Sequence, residues 1–183
     1  MPNYHRSYVK GGTFFFTIVT YNRLPILTLP QSREILREAW ESTNQRFPFE
    51  TVAVCLLPEH IHTIWTLPEG DADFSKRWRE IKRLFSRQYL EKAGTESPRN
   101  QSRIKRGEAA IWQRRFWEHT IRSEQDLKCH VEYIHYNPVK HGHVIKAADW
   151  QWSSFYKYVK NGLYPSEWGD TRNISGSQIN FGE

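Results

Sequence analysis

The chain of 183 residues is long enough for one domain with a substantial core, and no segment rich in Gly, Pro or Ser divides it. Its 26 Lys and Arg residues outnumber 20 Asp and Glu residues, and the net charge of +6 favours a polyanionic partner such as nucleic acid. No apolar run approaches the roughly 18 residues of a membrane span, and the two cysteines lack disulfide spacing, so we expect a cytoplasmic, non-membrane protein.

The first half of the chain alternates between strand and helix patterns. A run of β-branched and aromatic residues predicts a strand over Thr13–Tyr21, and apolar residues at helical spacing predict a helix over Gln31–Arg46. Two further strands are predicted over Thr51–Leu57 and Ile61–Leu67, joined as a hairpin. An amphipathic helix with a strongly basic face follows over Phe74–Leu90.

The second half begins with residues 93–108, which lack periodicity and carry four basic residues, so we expect a mobile basic loop. A strand is predicted over Ile111–Ile121, and a helix from Ser123 to about Asn137, where Pro138 should stop it. The order of these elements predicts an α+β fold, a ferredoxin-like antiparallel sheet with helices packed mainly on one face. This domain would span residues 1–148, and an aromatic-rich tail, residues 149–183, would pack on it.

Two histidines stand two residues apart at the start of the fourth predicted element. Alternate side chains of a strand share a face, so His60 and His62 project together while Ile61 faces the opposite layer. Imidazole nitrogens are good ligands for divalent first-row metals. The pattern alone also fits two unrelated, partly buried histidines.

The last predicted helix carries a second candidate group. Residues four apart lie on one helical face, so Tyr133 and Asn137 can reach the same point. A tyrosine beside a bound metal ion could attack a phosphodiester and form a reversible covalent phosphotyrosine. Without the histidines, a helical tyrosine is usually a rim residue and Asn before Pro a helix stop.

Four sequence blocks together resemble a known family. The sequence is similar to the single-tyrosine members of the HUH (His-hydrophobic-His) endonuclease superfamily, specifically the REP-associated tyrosine transposases. The resemblance covers the chain from Gly12 to Pro165, and the matching blocks are Leu57–Gly70, Trp78–Lys82, Phe116–His119 and Tyr133–Gly142.

This resemblance implies a metal-dependent enzyme that binds hairpins of repetitive extragenic palindromes and cleaves and rejoins single-stranded DNA. By position, His60 and His62 would bind Mg²⁺ or Mn²⁺, and Tyr133 would form a 5′-phosphotyrosine. Insertion-sequence relatives place Gln four residues after the tyrosine as a third ligand, and Asn137 stands there in this chain. Glu59 and a water molecule are alternative ligands. Both a monomer and a dimer fit the sequence.

Five basic residues are candidate phosphate contacts. Arg77, Lys82 and Arg83 belong to the basic helix, and Arg114 and Arg115 form a pair in the last predicted strand. Two other functions fit the same features: a hairpin-binding protein that does not nick DNA, and a metal-dependent RNA-processing protein. Trapping a covalent adduct on matched DNA and RNA hairpins separates the three.

Overall fold

A computed structural model describes residues 9–92 and 94–173. Within these residues the chain forms four β-strands and five α-helices, with short 3₁₀ turns between some of them. The elements, in chain order, are β1 (Thr13–Val19), α1 (Pro30–Arg46), β2 (Glu50–Leu56), β3 (His60–Thr66), α2 (Phe74–Lys92), α3 (Gln101–Arg106), β4 (Trp117–Thr120), α4 (Glu124–Lys140) and α5 (Phe155–Lys160).

The four strands form one sheet in the order β2-β3-β1-β4, and each neighbouring pair is antiparallel. The helices α1 and α2 each connect two strands, which makes the chain order βαββαβ. That order and strand arrangement define the ferredoxin-like α+β fold. The predicted fold class is confirmed.

Alternating side chains of the sheet build two separate cores. Phe14 and Phe16 of β1 and Trp65 of β3 pack with α1 and α2 on one face. Phe15 of β1 and Ile64 of β3 pack on the opposite face with α4. The two connecting helices thus share one face, as predicted, and α4 covers the other. The candidate site residues lie on the α4 face.

The strand predicted over Ile111–Ile121 is shorter in the structure, where β4 comprises only Trp117–Thr120. Ile111 and Trp112 are buried in the core on the α2 face, and Trp112 forms only an isolated bridge with Thr20. Their apolar character comes from packing against α2 rather than from continuous strand pairing. The prediction of a strand is therefore wrong for residues 111–116.

Part of the predicted basic loop is helical: Gln101–Arg106 form α3, so the prediction of a loop is wrong for that stretch. Asn100 caps α3, and Gly107 ends it in the left-handed region, at φ 63°. Arg103 is buried; its guanidinium donates to the carbonyls of Ala109 and Trp112 and lies 4.1 Å from the Tyr21 ring centroid. This cation therefore ties the segment to the domain. Ala93 itself lies outside the described residues.

The helix α4 continues through Pro138 to Lys140, so the prediction that Pro138 stops it is wrong. The helix begins as expected, where the Ser123 hydroxyl accepts a hydrogen bond from the backbone of Asp126. A proline removes one backbone donor, and so close to the end of a helix the remaining bonds and the packed face hold the last turn. The extension brings His141 to the helix end.

The C-terminal segment packs along β2. The backbone amide of Leu56 donates to Trp152, and that of Ser154 donates to Val54, so residues 152–154 pair with the β2 edge. The indole of Trp150 donates to the Leu56 carbonyl. Covering an edge strand in this way blocks pairing with other chains. Residues 174–183 of the predicted tail lie outside the described residues.

Among the described residues, no helix has the length and apolar character needed to cross a membrane.

Candidate active site

The histidines of β3 lie side by side beneath α4. His60 and His62 are both buried, with ring centroids 4.7 Å apart. Their even-numbered neighbour Ile64 belongs to the core that α4 covers, whereas Ile61 belongs to the opposite core. Strand alternation therefore places the pair as expected, with both imidazoles on one face.

Each imidazole has a hydrogen-bond partner at Nδ1. The Glu59 carboxylate lies 3.0 Å from Nδ1 of His60, and the Thr17 hydroxyl lies 3.0 Å from Nδ1 of His62. The Glu59 carboxylate accepts a hydrogen bond from Nδ1–H, which leaves the Nε2 lone pair of His60 available. Such partners orient imidazoles that bind metal ions. Both histidines can thus present Nε2 to one ion.

Burial also keeps the pair in the neutral form that metal binding requires. It lowers the pKa of His60, an effect that the Glu59 carboxylate partly offsets. It lowers the pKa of His62 well below the usual value, and the nearby His60 and His141 lower it further. Neutral imidazoles carry the lone pairs that bind a cation.

The helix α4 places Tyr133 against the histidines. Its ring centroid lies 5.2 Å from that of His62, with the rings nearly perpendicular, and 5.9 Å from that of Phe15. The ammonium group of Lys140 lies 5.1 Å from the Tyr133 ring centroid. Tyr136 contacts Trp168 of the C-terminal segment instead. Of these two tyrosines, Tyr133 is the one beside the histidine pair.

Asn137 lies on the same side of α4 and is completely buried. Both its amide oxygen and its amide nitrogen are buried without a hydrogen-bond partner among the described residues. Its amide nevertheless raises the pKa of His60, so it lies close to that imidazole. An unpartnered buried amide costs about 1–3 kcal/mol, which binding a cation at its oxygen would offset. The imidazole nitrogens of His60 and His62 and the amide oxygen of Asn137 are therefore suitable ligand atoms for one divalent ion.

Two residues near this group were missed in the sequence. His141, at the end of α4, has its ring centroid 5.3 Å from that of His60. Its spacing of four from Asn137 and eight from Tyr133 was a usable helical signal, but the helix was expected to end before it. Thr17 had no local signal, because only the register of β1 against β3 places it opposite His62.

A second cluster lies beside the site and has the composition of a metal site. Within the described residues, ligand atoms of His119, Asp126 and His130 all lie within 4.8 Å of one another. The Asp126 carboxylate is 3.0 Å from Nε2 of His119 and 2.9 Å from Nδ1 of His130. However, the two imidazoles are stacked at 4.5 Å with only 13° between their planes.

That stacking argues against one shared ion in this arrangement. A metal ion binds along the lone pair of an imidazole nitrogen, which lies in the plane of the ring. Because the two rings are stacked nearly parallel, their lone pairs do not point at one common position. The Asp126 carboxylate already accepts hydrogen bonds in the position that an ion would take. The cluster is better described as a histidine pair held by a carboxylate.

The structure separates the predicted phosphate contacts into two classes. Arg77 is only 2% exposed, and its guanidinium donates to the carbonyls of Phe47, Pro48 and Asp73 and to the Asp71 carboxylate. The prediction that Arg77 contacts DNA is wrong, because its guanidinium is buried and bonded to groups of the protein itself.

The other four predicted contacts lie nearer the surface. Lys82 is half-buried and donates to the Gln113 carbonyl. Arg83 is exposed and pairs with Glu80, and Arg114 is exposed and pairs with Glu108. Arg115 is exposed as well. Three of the predicted arginines are therefore accessible to a polyanion.

Comparisons with known proteins identify the family of the chain. The family model "Transposase IS200 like" matches residues 9–137. The REP-associated tyrosine transposase of Escherichia coli K12 is 45% identical over 179 residues, covering 97% of this chain and 98% of that protein. A relative from Haemophilus influenzae is 46% identical over 169 residues, covering 92% of this chain and 94% of that one.

A solved structure matches the chain in three dimensions. It is that of a REP-associated tyrosine transposase bound to a REP hairpin, with a TM-score of 0.76 and 44% identity. The match covers 97% of this chain and 98% of that one. The chain belongs to the IS200-like transposase family, and within it to the REP-associated tyrosine transposases.

Proposed function

We propose that this transposase binds REP-type DNA hairpins and cleaves and rejoins single-stranded DNA through a 5′-phosphotyrosine at Tyr133. The observation that carries the proposal is the position of the Tyr133 ring, 5.2 Å from that of His62. His62 and its neighbour His60 both have Nδ1 engaged, and burial lowers the pKa of each, which favours the neutral form that binds a metal ion. A nucleophile candidate and a metal-binding pair thus share one site.

The divalent ion, Mg²⁺ or Mn²⁺, would be held by His60, His62 and Asn137. When bound, such an ion draws charge from a non-bridging phosphate oxygen and stabilises the transition state. The buried, unpartnered amide of Asn137 supports its place as third ligand. His141 and Glu59 are the alternative protein ligands, since both lie beside His60.

Tyr133 would attack the scissile phosphorus through its phenol oxygen. The new oxygen–phosphorus bond links the 5′ phosphate to the tyrosine, and the bond to the 3′ oxygen breaks. The phenol loses its proton and the departing 3′ oxygen gains one. A DNA hydroxyl reverses the reaction and releases the tyrosine, so strands are rejoined without ATP. Lys140, near the Tyr133 ring, balances negative charge that develops there.

DNA would be held mainly through its phosphates. The related solved structure holds a REP hairpin, and the present chain carries a net charge of +6. We propose that the exposed Arg83, Arg114 and Arg115 contact phosphates, with Lys82 contributing through its partly covered ammonium group. The proposed site of action is the cytoplasm, and the protein is proposed to act as a monomer unless DNA brings two copies together.

The decisive experiment uses a REP-type hairpin with single-stranded flanks, incubated with Mn²⁺ or Mg²⁺. The wild-type protein should form a DNA adduct that resists denaturation, and Tyr133→Phe should form none while binding the hairpin normally. Tyr136→Phe is the matched control and should form the adduct. Hairpin binding without an adduct would instead indicate a DNA-binding protein, and an adduct on RNA alone would indicate RNA processing.

A further inference from the structure

Trp117 lies on the site face of the sheet and is largely exposed. Its side chain is 51% exposed, although most aromatic residues of the strands are buried. Trp117 is the register partner of Thr17, which is in turn the partner of His62. Register partners share a face, so these three side chains form one row across the sheet. Trp117 therefore stands two strands, or about 10 Å, from His62.

Neighbouring groups hold the Trp117 ring in place. Its indole is stacked parallel to the His119 ring, at 6.0 Å and 7°, and meets the Phe15 ring edge-on at 5.5 Å. His119 is stacked in turn on His130, and the Asp126 carboxylate bonds both imidazoles. The exposed ring thus belongs to an ordered stack rather than standing alone.

Phe15 links this stack to the candidate active site. Its ring also contacts those of His62 and Tyr133, at 5.5 Å and 5.9 Å. One buried ring therefore separates the exposed indole from both the metal-binding pair and the nucleophile. Arg115, two residues before Trp117, is exposed beside it in the sequence. Aromatic faces next to basic residues are the usual platforms for unpaired bases.

We propose that Trp117 forms a stacking subsite for an unpaired nucleobase of the DNA strand, close to the scissile phosphate. This inference rests on the proposed function and adds a binding contact to it. The base would lie on the free indole face and align the flanking strand across the His62 row. His119, Asp126 and His130 would act as positioning residues for the indole. Stacking depends on a flat ring face and tolerates different bases.

The test measures coupling between Trp117 and one nucleotide of the flank. Hairpin oligonucleotides carry an abasic nucleotide at one flank position at a time, and their binding is measured in the Tyr133→Phe background, which needs no cleavage. One abasic position should weaken binding about 10-fold with Trp117 present. The same position should have little further effect in Trp117→Ala. Trp117→Phe should restore most of the coupling, because it keeps a flat ring.

Tyr156→Ala is the matched control, since Tyr156 is also aromatic and is 53% exposed on the C-terminal segment. It should leave the abasic pattern unchanged. In the cleaving protein, Trp117→Ala should raise KM about 10-fold, because it removes a contact that binds the flanking strand. Circular dichroism and thermal unfolding establish that the variant is folded.

The inference is overturned if each abasic position weakens hairpin binding to the same extent in the protein with Trp117 and in Trp117→Ala. The indole would then be a rim residue that only packs on Phe15. Failure of the proposed function gives a different result: the wild-type protein would form no adduct, whatever the abasic pattern. An adduct without coupling overturns only the stacking subsite, and coupling without an adduct overturns only the cleavage chemistry.

Discussion

The hydroxyl of Thr17 lies 3.0 Å from Nδ1 of His62, across the register pair that joins β1 to β3. This contact fixes the orientation of an imidazole whose Nε2 faces the proposed ion. Thr17→Val removes the hydroxyl but keeps the side-chain shape. We expect Mn²⁺ affinity to fall about 10- to 100-fold, the usual effect of losing such a partner. Calorimetric titration with Mn²⁺ measures it.

Thr13→Val is the control for that variant. Thr13 lies on the same strand and face as Thr17, but its hydroxyl pairs with Thr66 at the far end of the sheet. It should leave Mn²⁺ affinity unchanged. Equal affinities for the Thr17→Val and wild-type proteins would show that the hydroxyl does not orient His62 for a metal ion.

Asn137→Ala tests the third ligand. If the Asn137 oxygen binds the ion, the variant should lose Mn²⁺ affinity and adduct formation, while His141→Ala should retain most of both. Calorimetry and the adduct assay measure the two effects, and thermal unfolding checks each fold, because Asn137 is fully buried. The reverse pattern, with a larger loss in His141→Ala, would assign the ligand to His141.

Arg77 should act on stability and not on DNA binding. Replacing it by alanine removes a buried guanidinium and leaves buried carbonyls and the Asp71 carboxylate without their donor. We expect a loss on the order of 3 kcal/mol in the free energy of unfolding. Urea unfolding measures it. A folded Arg77→Ala protein with intact stability and weaker DNA binding would contradict the structure.

Arg115→Ala should show the opposite behaviour. This arginine is exposed, so its removal should change stability by no more than about 0.5 kcal/mol. If Arg115 contacts a phosphate, the slope of log affinity against log salt concentration should be shallower by about one unit in the variant than in the wild type. Hairpin titrations at several salt concentrations measure the slope, and an unchanged slope would make Arg115 a solvated surface residue.

His135 should make stability depend on pH. Burial lowers its pKa to about 3 from the usual 6.5, and its Nε2 bonds the Ser154 hydroxyl. As the pH falls, the imidazole is therefore protonated in the unfolded chain before it is protonated in the folded protein. The contribution of His135 to the free energy of unfolding is fully present above about pH 6.5 and is lost as the pH drops towards 3. Between about pH 7.5 and pH 5 the loss from this group should be about 2 kcal/mol.

Urea unfolding in EDTA at both pH values, on the wild type and on His135→Gln, isolates that contribution. The Gln variant cannot titrate and should lose roughly 2 kcal/mol less between the two pH values. His60 and His62, whose pKa values burial also lowers, contribute equally to both proteins and cancel in the difference. Identical pH dependence would show that His135 is not held neutral.

Much of the site follows from the sequence because backbone geometry sets local periodicity. Strand alternation alone puts His60 and His62 on one face. Helical spacing alone puts Tyr133 and Asn137 on one side of α4. The order of the predicted elements likewise leads to the ferredoxin-like sheet, since short connections leave few arrangements of these strands and helices. These relations involve residues a few positions apart or elements adjacent in the chain.

Only the tertiary structure decides the relations between distant segments. Thr17 meets His62 through strand register. The Arg77 side chain turns inward because its guanidinium donates hydrogen bonds to the carbonyls of Phe47 and Pro48. In the sequence, Arg77 stands at helical spacing with the apolar Phe74 and Ile81, but that spacing does not show which groups its guanidinium bonds. The continuation of α4 through Pro138 depends on packing that outweighs a local stop signal, and it alone brings His141 to His60. Register, burial and packing are set by contacts across the fold, which local spacing does not encode.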